Sequence, residues 1–265
     1  MIHMKPLIFS LVCLSLLASC TKDRTPEPDD PSRIMVSFSN AVNASSLHLD
    51  TMIYINAAGN HYKVTDLQYF ISDMILQGKG GKVRILSDEG IHYIDARIPS
   101  TLSWLPVDTV PEGGYDSVSF VFGIDSLKNI SNRFPNPPER DMAWPDILGG
   151  GYHYMKLNMM WSDGTANPMP FMFHLGIGQL YSGVTPDPDS ITDYVQNWFR
   201  VTLPAVFTVV KGQKTEIILE MDLNQWFGAA EVFDFAQYPM MIMQNQEGMS
   251  KACRNGQRAF RIVVK

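Results

Sequence analysis

The sequence predicts an all-β fold, an antiparallel β-sandwich or flattened barrel with a few short helices. Three observations carry this expectation. Short runs that alternate apolar and polar residues recur along the chain, clusters of Gly, Asn and Asp punctuate them, and helical patterning is confined to two short segments. Residues 34–265 show no internal repeat and have a length ordinary for one β-sandwich domain.

Taken in order, residues 33–38 and 47–55 are β-branched or aromatic and read as strands, the second ending in the turn composition Asn56-Ala57-Ala58-Gly59-Asn60. Residues 63–77 form a longer run that stops at Gly78-Lys79-Gly80-Gly81. Residues 82–86 and 91–96 flank Asp88-Glu89-Gly90 as a hairpin. In residues 115–122, Val118, Phe120 and Phe122 alternate with Ser117, Ser119 and Val121, which predicts one core face. Residues 200–210 and 215–223 flank Lys211-Gly212-Gln213. In the second of these, Ile217, Leu219, Met221 and Leu223 alternate with Glu216, Glu220 and Asp222 as a half-buried strand should. The two helical segments are residues 250–260, with Ser250 as cap and Gly256 weakening it, and residues 189–198, capped by Asp189 or Ser190.

Residues 142–176 concentrate the chemistry. Two aromatic and Met-rich alternating runs flank Asp163-Gly164, predicting a β-hairpin with a long loop. His153 and Met155 share one face of the first strand, and Met172 and His174 share one face of the second. If the cross-strand register sums to an odd number, both pairs fall on one face and imidazoles meet thioethers; a slip of one residue separates them. Met155, Met159, Met160, Met169 and Met172 cluster here, and thioether plus imidazole is a donor set suited to Cu(I). Buried, hydrogen-bonded histidines and gap-filling methionines are the alternative reading of the same residues. His48 and His92 read as solvated surface.

Other motifs point away from catalysis. Gly149-Gly150-Gly151 lacks the following Lys-Ser/Thr and helix of a phosphate loop, so a bulge or tight turn into the Tyr152 strand explains it. Asp187, Asp189 and Asp193 match no calcium-loop spacing and read as a solvated acidic loop. Neither HExxH nor GxSxG occurs, and nothing proposes a reaction, so a non-enzymatic protein is expected.

The N-terminus reads as a bacterial lipoprotein signal. Lys5 precedes an apolar stretch over residues 7–17, too short to span a bilayer comfortably, and Leu17-Ala18-Ser19-Cys20 resembles a lipobox. The expectation is a signal peptide over residues 1–19, lipidation of Cys20, and a charged, proline-bearing tether through residue 33. Thr21 after the cysteine resembles outer-membrane sorting, on the periplasmic side or at the cell surface. With Cys13 removed and Cys20 lipidated, Cys253 has no partner, so no intrachain disulfide is expected. Removing Lys5 from the 21 basic residues leaves 20 against 27 acidic ones, a net charge of −7. No basic stripe interrupts that balance, which argues against nucleic acid and anionic membrane surfaces as partners.

Several blocks resemble the MbnP-like family of extracytoplasmic copper-associated proteins. They are Val64-Thr65-Asp66-Leu67-Gln68-Tyr69-Phe70-Ile71-Ser72, then Gly113-Gly114-Tyr115 with residues 120–123 and Asn129, then Met142-Ala143-Trp144, Gly151-Tyr152 and Phe173-His174-Leu175-Gly176. The resemblance implies a β-rich fold over residues 34–265, copper beside histidine ligands, a tryptophan that can be oxidised to kynurenine, and a dihaem cytochrome partner of MbnH type. Trp144 and His174 carry over by motif. The chain departs from the family pattern at Ile130, where members often have His, at Met243-Gln244, where relatives can show Met-His, and in lacking the cysteines of many members. Together these features predict copper or another soft metal held by His153 and His174, with Met155 or Met172 nearby and Trp144 alongside, in metal acquisition or handling. The alternative is a metal-free binding or adhesion module that presents Trp104, Trp198 and Trp226 to a glycan or protein.

Overall fold

The computed structural model describes residues 31–78, 81–85, 90–107, 109–164, 167–238 and 240–265. The expected signal peptide, Cys20 and most of the tether lie outside the described residues, as does Asp88-Glu89.

The chain opens with β1 (Arg33–Val42), the two-residue β2 (Ser45–Ser46) and β3 (Tyr54–Ile55), and then the 18-residue β4 (His61–Gly78). Next come β5 (Gly81–Arg84), β6 (Ile91–Asp95), β7 (Ser103–Trp104) and β8 (Gly113–Phe122). A long irregular stretch leads to β9 (Met155–Ser162) and β10 (Met169–Leu175), then β11 (Gly178–Tyr181), β12 (Ile191–Val195), β13 (Phe199–Val209) and β14 (Lys214–Asp222). Helix α1 (Gln246–Gly256) and β15 (Phe260–Val264) end the fold.

These strands form an all-β sandwich. One sheet has the order β15-β14-β1-β2, with β7 also on β1; the other has β10-β9-β4-β8-β13, with β3, β5 and β6 also on β4. Pairing is antiparallel except between β1 and β14, which run parallel from Arg33↔Lys214 to Ala41↔Asp222. The turn over residues 211–213 therefore carries the chain from one sheet to the other. Ile217, Leu219 and Met221 are buried as the alternation requires, while Glu216 and Glu220 stay outside and accept Ser37 and Arg261. Between the sheets the rings of Phe122, Trp226 and Phe260 meet, with centroids 4.8 and 5.9 Å from Phe122. Each such ring contributes about 1.5–3 kcal/mol by leaving water.

Several elements differ from the sequence expectation. Most of residues 47–55 is irregular, because Tyr54 closes the loop by accepting the His48 N–H through its hydroxyl. The strands expected as a hairpin at 82–86 and 91–96 each pair with β4 instead. On β8 Ser119 and Val121 are as buried as Phe120, so both faces are covered. The helix expected from Ser250 begins at Gln246, because the Asn245 side chain accepts the Gly248 N–H as cap. Residues 189–198 form a 3-10 turn and then β12, since pairing with β11 outweighs local helix propensity.

One feature of β4 positions everything below. β6 occupies Gln68 to Ser72 on one edge of β4, so β9, which pairs through Tyr69, and β8, which pairs from Ile71, share the other edge end to end. At the junction the Phe70 N–H donates to the Tyr154 carbonyl at 3.0 Å and the Phe70 carbonyl accepts from Gly123 at 2.8 Å.

Candidate metal centre

The segment between β8 and β9 has to turn back into that junction, and three glycines let it do so. Gly149, Gly150 and Gly151 have φ of +109°, +68° and +77°, a region that residues with a Cβ rarely enter. A Cβ on Gly151 would lie 2.5 Å from Asn129 Oδ1. That oxygen accepts the Tyr152 N–H at 2.8 Å, and Ser131 Oγ accepts the Gly151 N–H at 2.9 Å. The glycine run is thus a tight turn pressed against residues 129–131, as its sequence context indicates.

Beyond the turn, residues 142–144 and 151–153 pair back to back. The Trp144 N–H donates to the Gly151 carbonyl at 2.9 Å and the His153 N–H to the Met142 carbonyl at 2.7 Å, around an Ala143↔Tyr152 bridge. This pairing places the Trp144 and His153 rings edge to face, with centroids 4.6 Å apart. The Trp144 indole N–H donates to the Leu148 carbonyl at 3.2 Å.

His174 comes from β10, where Lys156↔His174 and Asn158↔Met172 are cross-strand pairs. These positions add to 330, an even sum, so the condition for the convergence expected from strand alternation is not met. Met155 stands opposite Leu175 and turns to the core face with Leu157 and Phe173, all fully buried; its expected place beside the histidines is therefore corrected. His174 and Met172 lie on the other face, with Lys156 and Asn158. His153 reaches His174 all the same. Tyr154 and Met155 are consecutive and both buried, with the Tyr154 N–H on the Leu175 carbonyl, so the alternation breaks just before β9. The two imidazoles end edge to face at 86°, their centroids 5.2 Å apart.

Both rings are nearly closed off, His153 at 7% exposure and His174 at 8%. His153 Nδ1 lies 2.9 Å from the Met142 carbonyl, and since a carbonyl only accepts, Nδ1 carries the proton and Nε2 the lone pair. His174 Nε2 donates to Asn158 Oδ1 at 2.8 Å, leaving the lone pair on Nδ1. Burial pushes the His153 pKa down to about 4, against the opposing pull of the Met142 and Ala143 backbone. Burial, then the neighbouring His153 and Lys156, takes His174 down to about 3. At neutral pH the pair is two uncharged imidazoles, and each holds its protonated nitrogen on an oxygen, the kind of support metal-bound histidines commonly have.

Neutral imidazoles are donors of the type that a soft, low-coordinate cation takes. With metal–nitrogen bonds of about 2 Å, two imidazoles on one ion have centroids no more than roughly 6 Å apart, and these already stand closer. Among the described residues no group of three or more His, Cys, Asp or Glu side chains could hold a metal, so a four-ligand site of the structural zinc kind is not built here.

Other residues singled out by sequence fall elsewhere. Trp226 and Trp104 are buried and Trp198 is half-buried, so the expected exposed aromatic platform is not formed. His92 is not solvated but stacked between Phe38 and Trp104, at 5.0 Å from each. The half-buried Cys253 thiol donates to the Asn197 carbonyl at 3.2 Å, and burial pushes its pKa up to about 12, which keeps it protonated. Asp187 and Asp189 are exposed, and Asp187 caps the Asp189 N–H. Sequence reasoning missed Asn158, although a lone amide between Leu157 and Met159 on an apolar strand was a signal for a buried polar partner.

Two comparisons with known proteins found a likeness. A family model described as MbnP matches residues 31–244. Among solved structures, the chain is similar to MbnP from Methylosinus trichosporium, with 17% identity over 75% of this chain and 78% of that one and a TM-score of 0.47. No curated protein matches it.

Proposed function

This chain belongs to the MbnP family, and from that premise we propose that it is a non-enzymatic, copper-binding lipoprotein of the outer membrane. The observation that carries the reading is the pair of neutral imidazoles, 5.2 Å apart, whose lone pairs sit on His153 Nε2 and His174 Nδ1. Copper bound there would be a soft Lewis acid held by two nitrogens. The protein's own part is to keep those nitrogens unprotonated, orient them through Met142 and Asn158, and exclude water. On this reading Trp144, whose ring meets that of His153 edge to face, is the tryptophan that would be oxidised to kynurenine with a dihaem cytochrome as partner. The Leu17-Ala18-Ser19-Cys20 motif supports anchoring through lipid on Cys20, with the domain acting in copper acquisition or handling.

Titration of the mature domain with Cu(I), in competition with a colorimetric chelator, tests the reading. Wild type should compete at a stoichiometry of one and the His153→Ala, His174→Ala double variant should lose that competition. Equal affinity in both proteins would remove the proposal. Mass spectrometry after co-expression with a dihaem cytochrome tests the partner separately: an oxidised derivative is expected at Trp144, and an unmodified Trp144 would sink that part.

A further inference from the structure

Beside β10 runs the segment 240–243. The Met172 N–H donates to the Met240 carbonyl at 2.8 Å and the Ile242 N–H to the Met172 carbonyl at 3.2 Å, so that Met172 and Met241 form a parallel bridge. Bridged residues send their side chains to the same side of a sheet, and period-two alternation puts Met172 on the side of His174. Ile242, in between, turns to the core and is fully buried. Met241 is 36% exposed and Met172 half-buried, so exposure falls along this series on the face that carries His174.

The outer end of this series opens into a cleft. Met241 and Met243 line a cavity of about 450 Å³ together with Gln179, Tyr181 and Gln244. Gln179 Nε2 donates to the Leu148 carbonyl at 2.7 Å, the same oxygen that holds the Trp144 indole N–H. The floor of the cleft and the wall of the histidine site therefore share one carbonyl. From the opposite side, Lys156 stands across from His174 with its ammonium on the Asp141 carbonyl, where it disfavours the approach of a bare cation. Thioethers are neutral, soft donors that select Cu(I)-like ions over hard divalent ones.

We propose that Met241, Met243 and Met172 form a capture site for a soft monovalent cation, Cu(I) or Ag(I), from which the ion passes to His174 and His153. Its second step rests on the copper reading of the histidine pair; the first does not.

The test uses mature protein labelled with methyl-13C methionine and titrated with Ag(I), a redox-inert probe. In the His153→Ala, His174→Ala variant the methyl signals of Met241, Met243 and Met172 should still shift while those of core methionines such as Met74 and Met142 stay put. Replacing the three by Leu, which nearly conserves volume, in the otherwise wild-type protein should slow Cu(I) loading of the histidines, followed by stopped-flow chelator competition, by about tenfold or more. M241L alone, at an exposed position, gives the same comparison if the triple variant misfolds. Unmoved methyl signals in the histidine variant, or loading at the wild-type rate without the thioethers, would overturn the proposal. Shifting methyl signals in a wild type that shows no tight histidine binding would instead overturn the copper reading and leave the capture site standing.

Discussion

Gly176 lies directly against Trp144: a Cβ added there would stand 2.5 Å from the indole Cε3 and 2.7 Å from Cζ3. The ring cannot retreat freely, because its far side carries the Leu148 hydrogen bond and its edge meets His153. Gly176→Ala should therefore overpack the site and cost about 1–3 kcal/mol. Urea unfolding reads the loss, and Cu(I) competition should show weaker binding as Trp144 presses on His153. Wild-type affinity and stability together would mean that the indole has room to move.

On the copper reading, Asn158 would act on the metal through His174. Its Oδ1 holds the Nε2–H at 2.8 Å and so fixes which nitrogen bears the lone pair. Asn158→Ala should lower Cu(I) affinity by about 10–100-fold, the usual cost of losing a hydrogen bond behind a ligating histidine. Asn158→Asp preserves the acceptor and should recover most of the affinity. A purely structural amide would weaken folding in both variants without that recovery.

Much of this was legible in the chain. The strands at 33–38, 63–77, 115–122, 200–210 and 215–223 follow from period-two alternation, which depends only on neighbouring residues, and each is found within a few residues of its expected place. Which strands pair was not legible, because β5 and β6 answer to the long β4 rather than to each other. The same holds at the site. Alternation correctly makes His174 and Met172 neighbours, but assigns Met155 to the histidines because it cannot see the break at Tyr154 that turns Met155 inward and leaves His153 outside. The meeting of two rings 21 positions apart needed the glycine turn and the junction at Phe70, both properties of the assembled sheet.

The imidazoles also set an acid limit on stability. In the unfolded chain both titrate near the ordinary value of about 6.5, whereas burial holds them at about 4 and about 3 in the fold. Between those values the unfolded state binds more protons than the native one, so stability rises with pH. It should be complete above about 6.5, erode as pH falls through 6 and 5, and flatten below the folded pKa values, with a total effect on the order of 3–5 kcal/mol per histidine at most. Urea unfolding of the metal-free protein at pH 7.5 and 5 measures it. The His153→Ala, His174→Ala variant should show a shallower slope, and an unchanged slope would place the titrating groups elsewhere.

Two glycines with nearly the same backbone separate strain from contact. Gly59 has φ +83° and nothing within 4 Å of an added Cβ, whereas Gly151 has φ +77° with Asn129 Oδ1 at 2.5 Å. Gly59→Ala should cost only the left-handed penalty, about 1–2 kcal/mol. Gly151→Ala adds the displacement of Asn129, which strips the Tyr152 N–H of its acceptor and leaves a buried donor unpaired, worth about 1–3 kcal/mol more. Because Tyr152 precedes His153, that second loss should also appear as weaker Cu(I) binding, which Gly59→Ala leaves untouched. Equal destabilisation of the two variants would show that Asn129 yields without cost and that the turn does not hold the imidazole in place.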